Sequence, residues 1–315
     1  MSNKIKNLTN LLRIRQYYKN GLIFLGAFFS KSLLNFSLYP ILILGFIILC
    51  CASSINYIIN DLVDIEKDKR HPEKIKNRPL ASGELSKTFA FLLLILLSGI
   101  IGFSLIFIIS NWNFAIMIIL IIITGQLYNH LLKKYAFVDI LCLSMIYLWR
   151  ALSGCFLIHV FISPWLFLAI FEIALFLVIA KRKGDLMLLN SLGKEDAIAH
   201  KKSYDQYSLK LLDQFHVIIA CSLFISHSLY LIIHFNLFSA ESVNIHEYSA
   251  ILTIPIMLYI IFRYMYLTSA KPEIARNTEK AFFDPGLLIA GICFMAILSY
   301  SFYFDEFIHL INNFF

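Results

Sequence analysis

"NDLVDIEKDKRHPEKIKNRPLASGEL", Asn60 to Leu85, interrupts a sequence that is otherwise almost free of charge on both sides, near 37 to 60 and 86 to 109. A bilayer core of roughly 30 Å is crossed by about 20 apolar residues in a helix. Each flanking run is long enough to cross, so the charged stretch reads as the loop between two membrane helices.

The rest of the chain repeats the pattern. Of its 315 residues, 59% are hydrophobic and 29 are Phe, too apolar for one water-soluble core with a hydrated surface. Charged breaks divide it into nine predicted spans, near 20 to 35, 37 to 60, 86 to 109, 112 to 131, 137 to 160, 163 to 182, 211 to 236, 248 to 268 and 285 to 312. The fold class expected is all-α, a polytopic helical bundle forming a single transmembrane domain over 1–315. Its two main cytoplasmic loops are placed at 61–86 and 183–210.

Lys and Arg set the expected orientation. The first twenty residues and the segments 61 to 87, 132 to 136, 181 to 210 and 263 to 280 hold 5, 7, 2, 7 and 4 of them, which is 25 of 27. By the positive-inside rule these segments and the N-terminus are cytoplasmic, and nine spans put the C-terminus outside. The polar, basic start and the absence of a small-residue cleavage site predict no removed signal peptide. The net charge of +7 follows this topology, and no basic nucleic-acid motif accompanies it, so no nucleic-acid partner is expected. The six cysteines lie in apolar segments without Cys-x-x-Cys spacing and read as buried thiols.

Within the opening stretch, Asn60, Asp64 and Asp68 are four residues apart, so a helix continuing past the membrane surface projects them from one face, flanked by Asp61. Acids at that spacing repel one another unless a cation lies between them. Oxygen-only donors suit Mg²⁺, which commonly takes one or two carboxylates together with substrate phosphates. Lys74, Lys76 and Arg78 follow at once, and Pro79 and Gly83 mark a turn. Acids for a metal beside bases for phosphate oxygens match a polyanionic substrate. The bland alternative is a solvated loop whose charges pair internally through Lys67, Lys69 and Arg70.

Other polar residues are candidates for the same site. Arg150 falls inside the fifth span, where a charge costs at least about 2.5 to 3.5 kcal/mol unless it faces a cavity or a partner. It reads as ligand-facing, with a salt bridge to Glu172 as the alternative. Tyr128, Asn129, Lys133 and Asp139 gather around the turn between the fourth and fifth spans. "AKRKGD" supplies Lys181, Arg182, Lys183 and Asp185 at the end of the sixth. "RIRQYYKN" places Arg13, Arg15, Gln16 and Lys19 before the first, where an ordinary positive-inside anchor is the plain alternative.

Together these segments resemble the UbiA superfamily of intramembrane prenyltransferases, whose N-D-x-x-D-x-x-x-D motif is matched by Asn60, Asp61, Asp64 and Asp68. The likeness within it is closer to the decaprenyl-phosphate phosphoribosyltransferases. Their R-P-x-Q-W-x-K-N pattern stands here as Arg13 to Asn20, with Ile14 for Pro and Tyr17 for Trp. "WRALSG" at Arg150, the Y-S-x-x-L-K pattern at Tyr128 to Lys133 with Asn129 for Ser, and K-R-x-x-E-L at Lys181 to Leu186 with Asp185 for Glu extend it from about 11 to 290. Aromatic prenyltransferases carry a second acidic motif, D-x-x-x-D. Here Asp185, Asp196, Asp205 and Asp213 each lack an Asp four residues on.

The resemblance implies Mg²⁺-dependent transfer of 5-phosphoribose from phosphoribosyl pyrophosphate to a polyprenyl phosphate, in a bacterial-type inner membrane. Asn60, Asp64 and Asp68 then hold Mg²⁺ on the donor's diphosphate, with Asp61 completing the metal set. Lys19, Lys74, Arg78, Tyr128, Lys133, Arg150, Lys181, Arg182 and Asp185 bind substrate. A homo-oligomer is left open. The alternatives are aromatic prenylation from a prenyl diphosphate and a transporter or lipid-binding protein without chemistry.

Overall fold

In a computed structural model, residues 3–69, 75, 77–192, 202–238 and 244–314 are described. All regular structure among them is helical. Eight helices are long and apolar enough to cross a membrane: Phe36–Val63, Lys87–Ile109, Trp112–His130, Val138–Leu157, Pro164–Leu189, Leu209–His234, Ile245–Ala270 and Pro285–His309. The protein is an integral membrane protein of the all-α class. Eight of the nine predicted spans are recovered within a few residues at most of their ends.

The first predicted span takes another form. After α1 (Asn3–Leu12), Ile14–Phe24 forms an eleven-residue 3₁₀ segment, which runs into the five-residue α2 (Leu25–Phe29). A 3₁₀ helix rises about 2.0 Å per residue against 1.5 Å for an α-helix, so these eleven residues reach about 22 Å where an α-helix would reach about 16 Å. The sixth span also departs from expectation, because its helix runs on through Leu192 and carries the "AKRKGD" residues on its last turns.

By packing, the chain forms two compact units, Met1–Leu132 with Met145–Ile162, and Lys133–Ser144 with Ser163–Phe315. In the first, α3 (Tyr39–Val63) starts with Pro40 in its first turn, where the missing N–H costs nothing. It buries Leu42, Ile48, Leu49, Ala52, Ile55 and Ile58 at three- and four-residue spacing. Against it pack Ala90, Leu97 and Ile101, then Phe114, Ile118 and Ile121 from the next two spans. Those two helices open on Ser86 and Asn111, whose side chains accept from the N–H groups of Phe89 and Phe114. In the second unit, Phe176 and Ala180 of the Pro164–Leu192 helix meet Ala220 and Leu223 of Leu209–His234 and Ile261 and Tyr264 of Thr253–Ala270.

The 3₁₀ segment also lies directly against the Val138–Leu157 helix. At Gly154 the Ile23 carbonyl fills the space a Cβ would need, so only glycine permits that approach. Gly154→Ala is expected to cost about 1 to 3 kcal/mol, the usual scale of an overpacked contact. Gly99→Ala, where a Cβ meets nothing within 4 Å, is expected to be tolerated. Thermal unfolding of the two detergent-purified variants tests the contrast; equal melting temperatures would contradict the close approach.

Candidate functional site

The acid motif sits where α3 ends. Val63 is its last residue, Asp64 bends the chain at φ −91° and ψ 9°, and α4 (Ile65–Asp68) adds one more turn. The hydrogen-bond ladder survives the bend: Asp64 N–H donates to the Asn60 carbonyl at 2.9 Å, and Asp68 N–H to the Asp64 carbonyl at 2.8 Å. Asn60, Asp64 and Asp68 therefore keep the helical register expected of them. Asn60 and Asp64 are half-buried, and Asp61 and Asp68 are buried.

Buried carboxylates need partners. Asp61 Oδ1 accepts from Arg13 Nη2 at 2.7 Å and also touches Arg78 Nη1, while Arg78 Nε lies 4.0 Å from Asp68 Oδ2. The guanidinium of Arg13 lies over the Tyr57 ring, 4.4 Å from its centroid. Burial pushes the Arg13 pKa down; burial and then the charge of Arg13 push Arg78 down to about 9. Both remain cations at neutral pH. Within the loop Arg78 thus pairs with its acids, and the exposed Lys69 pairs with Glu66 at 2.9 Å.

Arg13 reaches Asp61 because the N-terminal segment is fastened along α3. Tyr57 donates to Gln16 Oε1 at 2.8 Å, and Tyr17 meets the Ser54 hydroxyl at 2.8 Å. Ser54 directs its own proton to the Leu12 carbonyl, which makes Tyr17 the donor. Farther along, Ser53 donates to Asn20 Oδ1 and Asn20 Nδ2 to Cys50 Sγ. A 3₁₀ helix aligns residues three apart, so Tyr17, Asn20 and Ile23 share a line. Sequence reading offered a positive-inside anchor as the plain alternative for this segment and missed the ladder. Its signal was polar residues at 13, 16, 17 and 20 opposite polar residues at 61, 57, 54, 53 and 50. Arg13 itself is left-handed, φ 53° and ψ 47°, at a helix end where glycine is usual. That conformation costs roughly 1 to 2 kcal/mol for a residue with a Cβ, and strain of this kind gathers at functional sites.

The other first-unit candidates are placed as follows. Arg78 opens a turn in which its carbonyl accepts from the N–H groups of Ala81 and Ser82, with Gly83 at φ +79° closing it. Lys74, like Arg70 and Lys76, lies outside the described residues. Lys19 is half-buried with its ammonium 5.8 Å from the Tyr18 ring centroid, and Tyr128 is half-buried on the last turn of Trp112–His130. Arg150 is buried, stacks 5.5 Å from Tyr147, and leaves Nε without a hydrogen-bond partner among the described residues. Glu172, its alternative partner from sequence, instead accepts from the hydroxyls of Ser222 and Ser226.

The second unit holds a separate network. Arg182 is buried, with Nε 2.7 Å from Asp139 Oδ2 and Nη1 3.5 Å from Asp185 Oδ2. Tyr207 donates to Asp139 at 2.6 Å and Tyr204 to Asp185 at 2.7 Å. Burial, then the bond to Asp139, raise the Tyr207 pKa, so the phenol stays a donor. Lys183 pairs with Asp213 at 2.6 Å. Arg182 and Asp185 thus serve each other, and Asp139, expected in a substrate wall, is fully buried as the anchor of Arg182. Lys133 and Lys181 remain half-buried.

Among the described residues no group of three His, Cys, Asp or Glu side chains is gathered closely enough to hold a metal ion. The donor types in the first unit nevertheless fit Mg²⁺: Asn60, Asp64 and Asp68 offer oxygens on successive turns. Beside them Asp61 Oδ2 is buried with no hydrogen-bond partner among the described residues.

Comparison with known proteins shows the family and the fold. The UbiA prenyltransferase family profile matches residues 21–283. An uncharacterized protein of Sinorhizobium fredii is 31% identical over 59% of this chain and 36% of its own length. The decaprenyl-phosphate phosphoribosyltransferase of Mycolicibacterium smegmatis is 30% identical over 67% of this chain and 65% of its own length. The chain thus spans less than two thirds of either relative. Among solved structures, a UbiA homolog from Archaeoglobus fulgidus bound to GPP and Mg²⁺ superposes with a TM-score of 0.60. It is 16% identical and covers 93% of this chain and 97% of its own, a likeness of fold.

Removing one member of a buried ion pair commonly costs about 3 to 5 kcal/mol, whereas losing one neutral hydrogen bond costs about 1 kcal/mol. Asp139→Asn is accordingly expected to lower the unfolding temperature far more than Tyr207→Phe. Calorimetry on both variants checks the order, and equal losses would argue that Arg182 does not depend on Asp139.

Proposed function

The chain belongs to the UbiA prenyltransferase family, and from that premise we propose that it transfers 5-phosphoribose from phosphoribosyl pyrophosphate to a polyprenyl phosphate, releasing pyrophosphate. The observation that carries this reading is the end of the Pro164–Leu192 helix. Lys181, Arg182 and Lys183 stand there with a lone Asp185, where an aromatic prenyltransferase would carry a second pair of acids. Cations in place of acids suit a donor with an additional phosphate. The similarity to the Mycolicibacterium phosphoribosyltransferase supports the same assignment.

In this reading Asn60, Asp64 and Asp68 hold Mg²⁺ against the donor's diphosphate. The ion held by these residues would supply charge neutralisation for the departing diphosphate. Lys19, Arg78 and Arg150 in the first unit bind phosphate oxygens. Lys74, Tyr128, Lys133 and Lys181 are further substrate contacts that the family resemblance implies. Arg182 and Asp185 act by holding the helix end that carries Lys181. The lipid phosphate attacks C1 through an oxygen already ionised at neutral pH, so pyrophosphate departs with the bonding electrons and no general base is required. A single in-line displacement inverts C1. The basic segments and the N-terminus face the cytoplasm, where the soluble donor is found, and the acceptor's tail stays in lipid.

Full-length protein in detergent, given Mg²⁺, radiolabelled phosphoribosyl pyrophosphate and polyprenyl phosphate, is expected to move label into the organic phase. EDTA is expected to stop it. Asp64→Asn and Asp68→Asn are each expected to lower turnover at least about 100-fold, the scale of lost electrostatic stabilisation at a reacting centre. Transfer from a prenyl diphosphate to 4-hydroxybenzoate, with no lipid-linked ribose, would replace this reading with aromatic prenylation.

A further inference from the structure

The acid motif is already occupied by cations that belong to the chain. Asp61, 2% exposed, has one carboxylate oxygen shared by Arg13 and Arg78, whose side chains are 20% and 21% exposed. Arg78 also leans toward Asp68 at 4.0 Å. The second oxygen of Asp61 is buried and accepts no hydrogen bond among the described residues. Guanidiniums thus stand on the carboxylates of a motif whose donor types suit a divalent metal. Two such charges on one oxygen repel each other, which offsets part of what each gains from the carboxylate.

We infer that Arg13 and Arg78 are resident counter-ions of the acid motif, displaced from Asp61 and Asp68 when a divalent cation binds and handed to the phosphates of the substrate. Arg13 becomes a positioning residue of the site. The inference rests on the metal site proposed above and adds a coupling to it. A divalent cation on the acids would add two positive charges beside Arg13 and Arg78, which favours the approach of a polyanion. Metal and polyanion therefore bind as one linked event.

The backbone of Arg13 agrees with this role. Glycine would suit its left-handed conformation better, yet an arginine stands there and reaches Asp61 across the groove between the N-terminal segment and α3. The same fact supplies a variant compatible with the fold, since Arg13→Gly removes the guanidinium without opposing the backbone.

The test separates the two ligands. Full-length protein in detergent is titrated with Mn²⁺ alone, free Mn²⁺ being followed by electron paramagnetic resonance, and with inorganic pyrophosphate alone in EDTA. Arg78→Gln and Arg13→Gly are each expected to tighten Mn²⁺ binding threefold or more and to weaken pyrophosphate binding threefold or more. Arg78→Lys, which keeps the charge, is expected to lie nearer the parent in both. Lys87→Gln removes an exposed cation outside the proposed site, and its Mn²⁺ affinity is expected to stay within twofold. Unchanged or weaker Mn²⁺ binding in the two arginine variants overturns the exchange, as does an equal gain in Lys87→Gln, which would reduce the effect to net charge. If Asp64→Asn and Asp68→Asn also leave Mn²⁺ affinity unaltered, the proposed metal site fails along with the exchange. If those two variants lose affinity while the arginine variants gain none, only the exchange fails.

Discussion

The Asp61 carboxylate, buried at the end of α3 and held by Arg13 and Arg78, is the interaction on which the first unit's site depends. A buried carboxylate without partners would take up a proton or reorganise its surroundings. Here it draws in two arginines far apart in sequence, and with them the N-terminal segment and the turn after the acid motif. Gln16, Tyr17 and Asn20 continue the attachment along α3 through Tyr57, Ser54, Ser53 and Cys50. The left-handed backbone at Arg13 is tolerated because its side chain gains an ion pair and an aromatic face. One polar contact therefore organises three separate stretches of an otherwise apolar unit.

The second unit meets the same difficulty with a different solution. Arg182 is enclosed by Asp139 and Asp185, and both acids also accept from tyrosine hydroxyls. Sharing each carboxylate between a guanidinium and a phenol satisfies more lone pairs than an isolated ion pair could. The segment Lys202–Gln206 is drawn in as well, since Gln206 accepts from the Ala136 N–H and donates to the Lys134 carbonyl. At this helix end Arg182 and Lys183 are buried and paired with Asp139 and Asp213.

Apolar length and charged breaks made eight membrane helices legible, because a bilayer imposes one length on every span. The four-residue spacing of Asn60, Asp64 and Asp68 was legible for the same kind of reason, since helical hydrogen bonds fix which residues share a face. Pairing was not. Nothing local marks Arg13 as the partner of Asp61, or Asp139 as that of Arg182, because partners so distant in sequence are chosen by packing. The 3₁₀ form of Ile14–Phe24 also escaped reading. Its weaker hydrogen-bond geometry is offset by tertiary contacts to α3 that a local pattern does not report.

The seating of Ile23 against Gly154 carries a consequence for how the chain is assembled. A stretch containing Arg15, Gln16, Lys19 and Asn20 gains little by entering lipid alone, since its polar groups would lose water without finding partners. Its partners emerge later, Tyr57 and Ser54 first and Gly154 last. The segment Ile14–Phe24 can thus be fully seated only when the Val138–Leu157 helix is in place to receive Ile23. Its attachment depends on a glycine more than a hundred positions away in sequence, so the seating of Ile23 reports on the packing of the whole first unit.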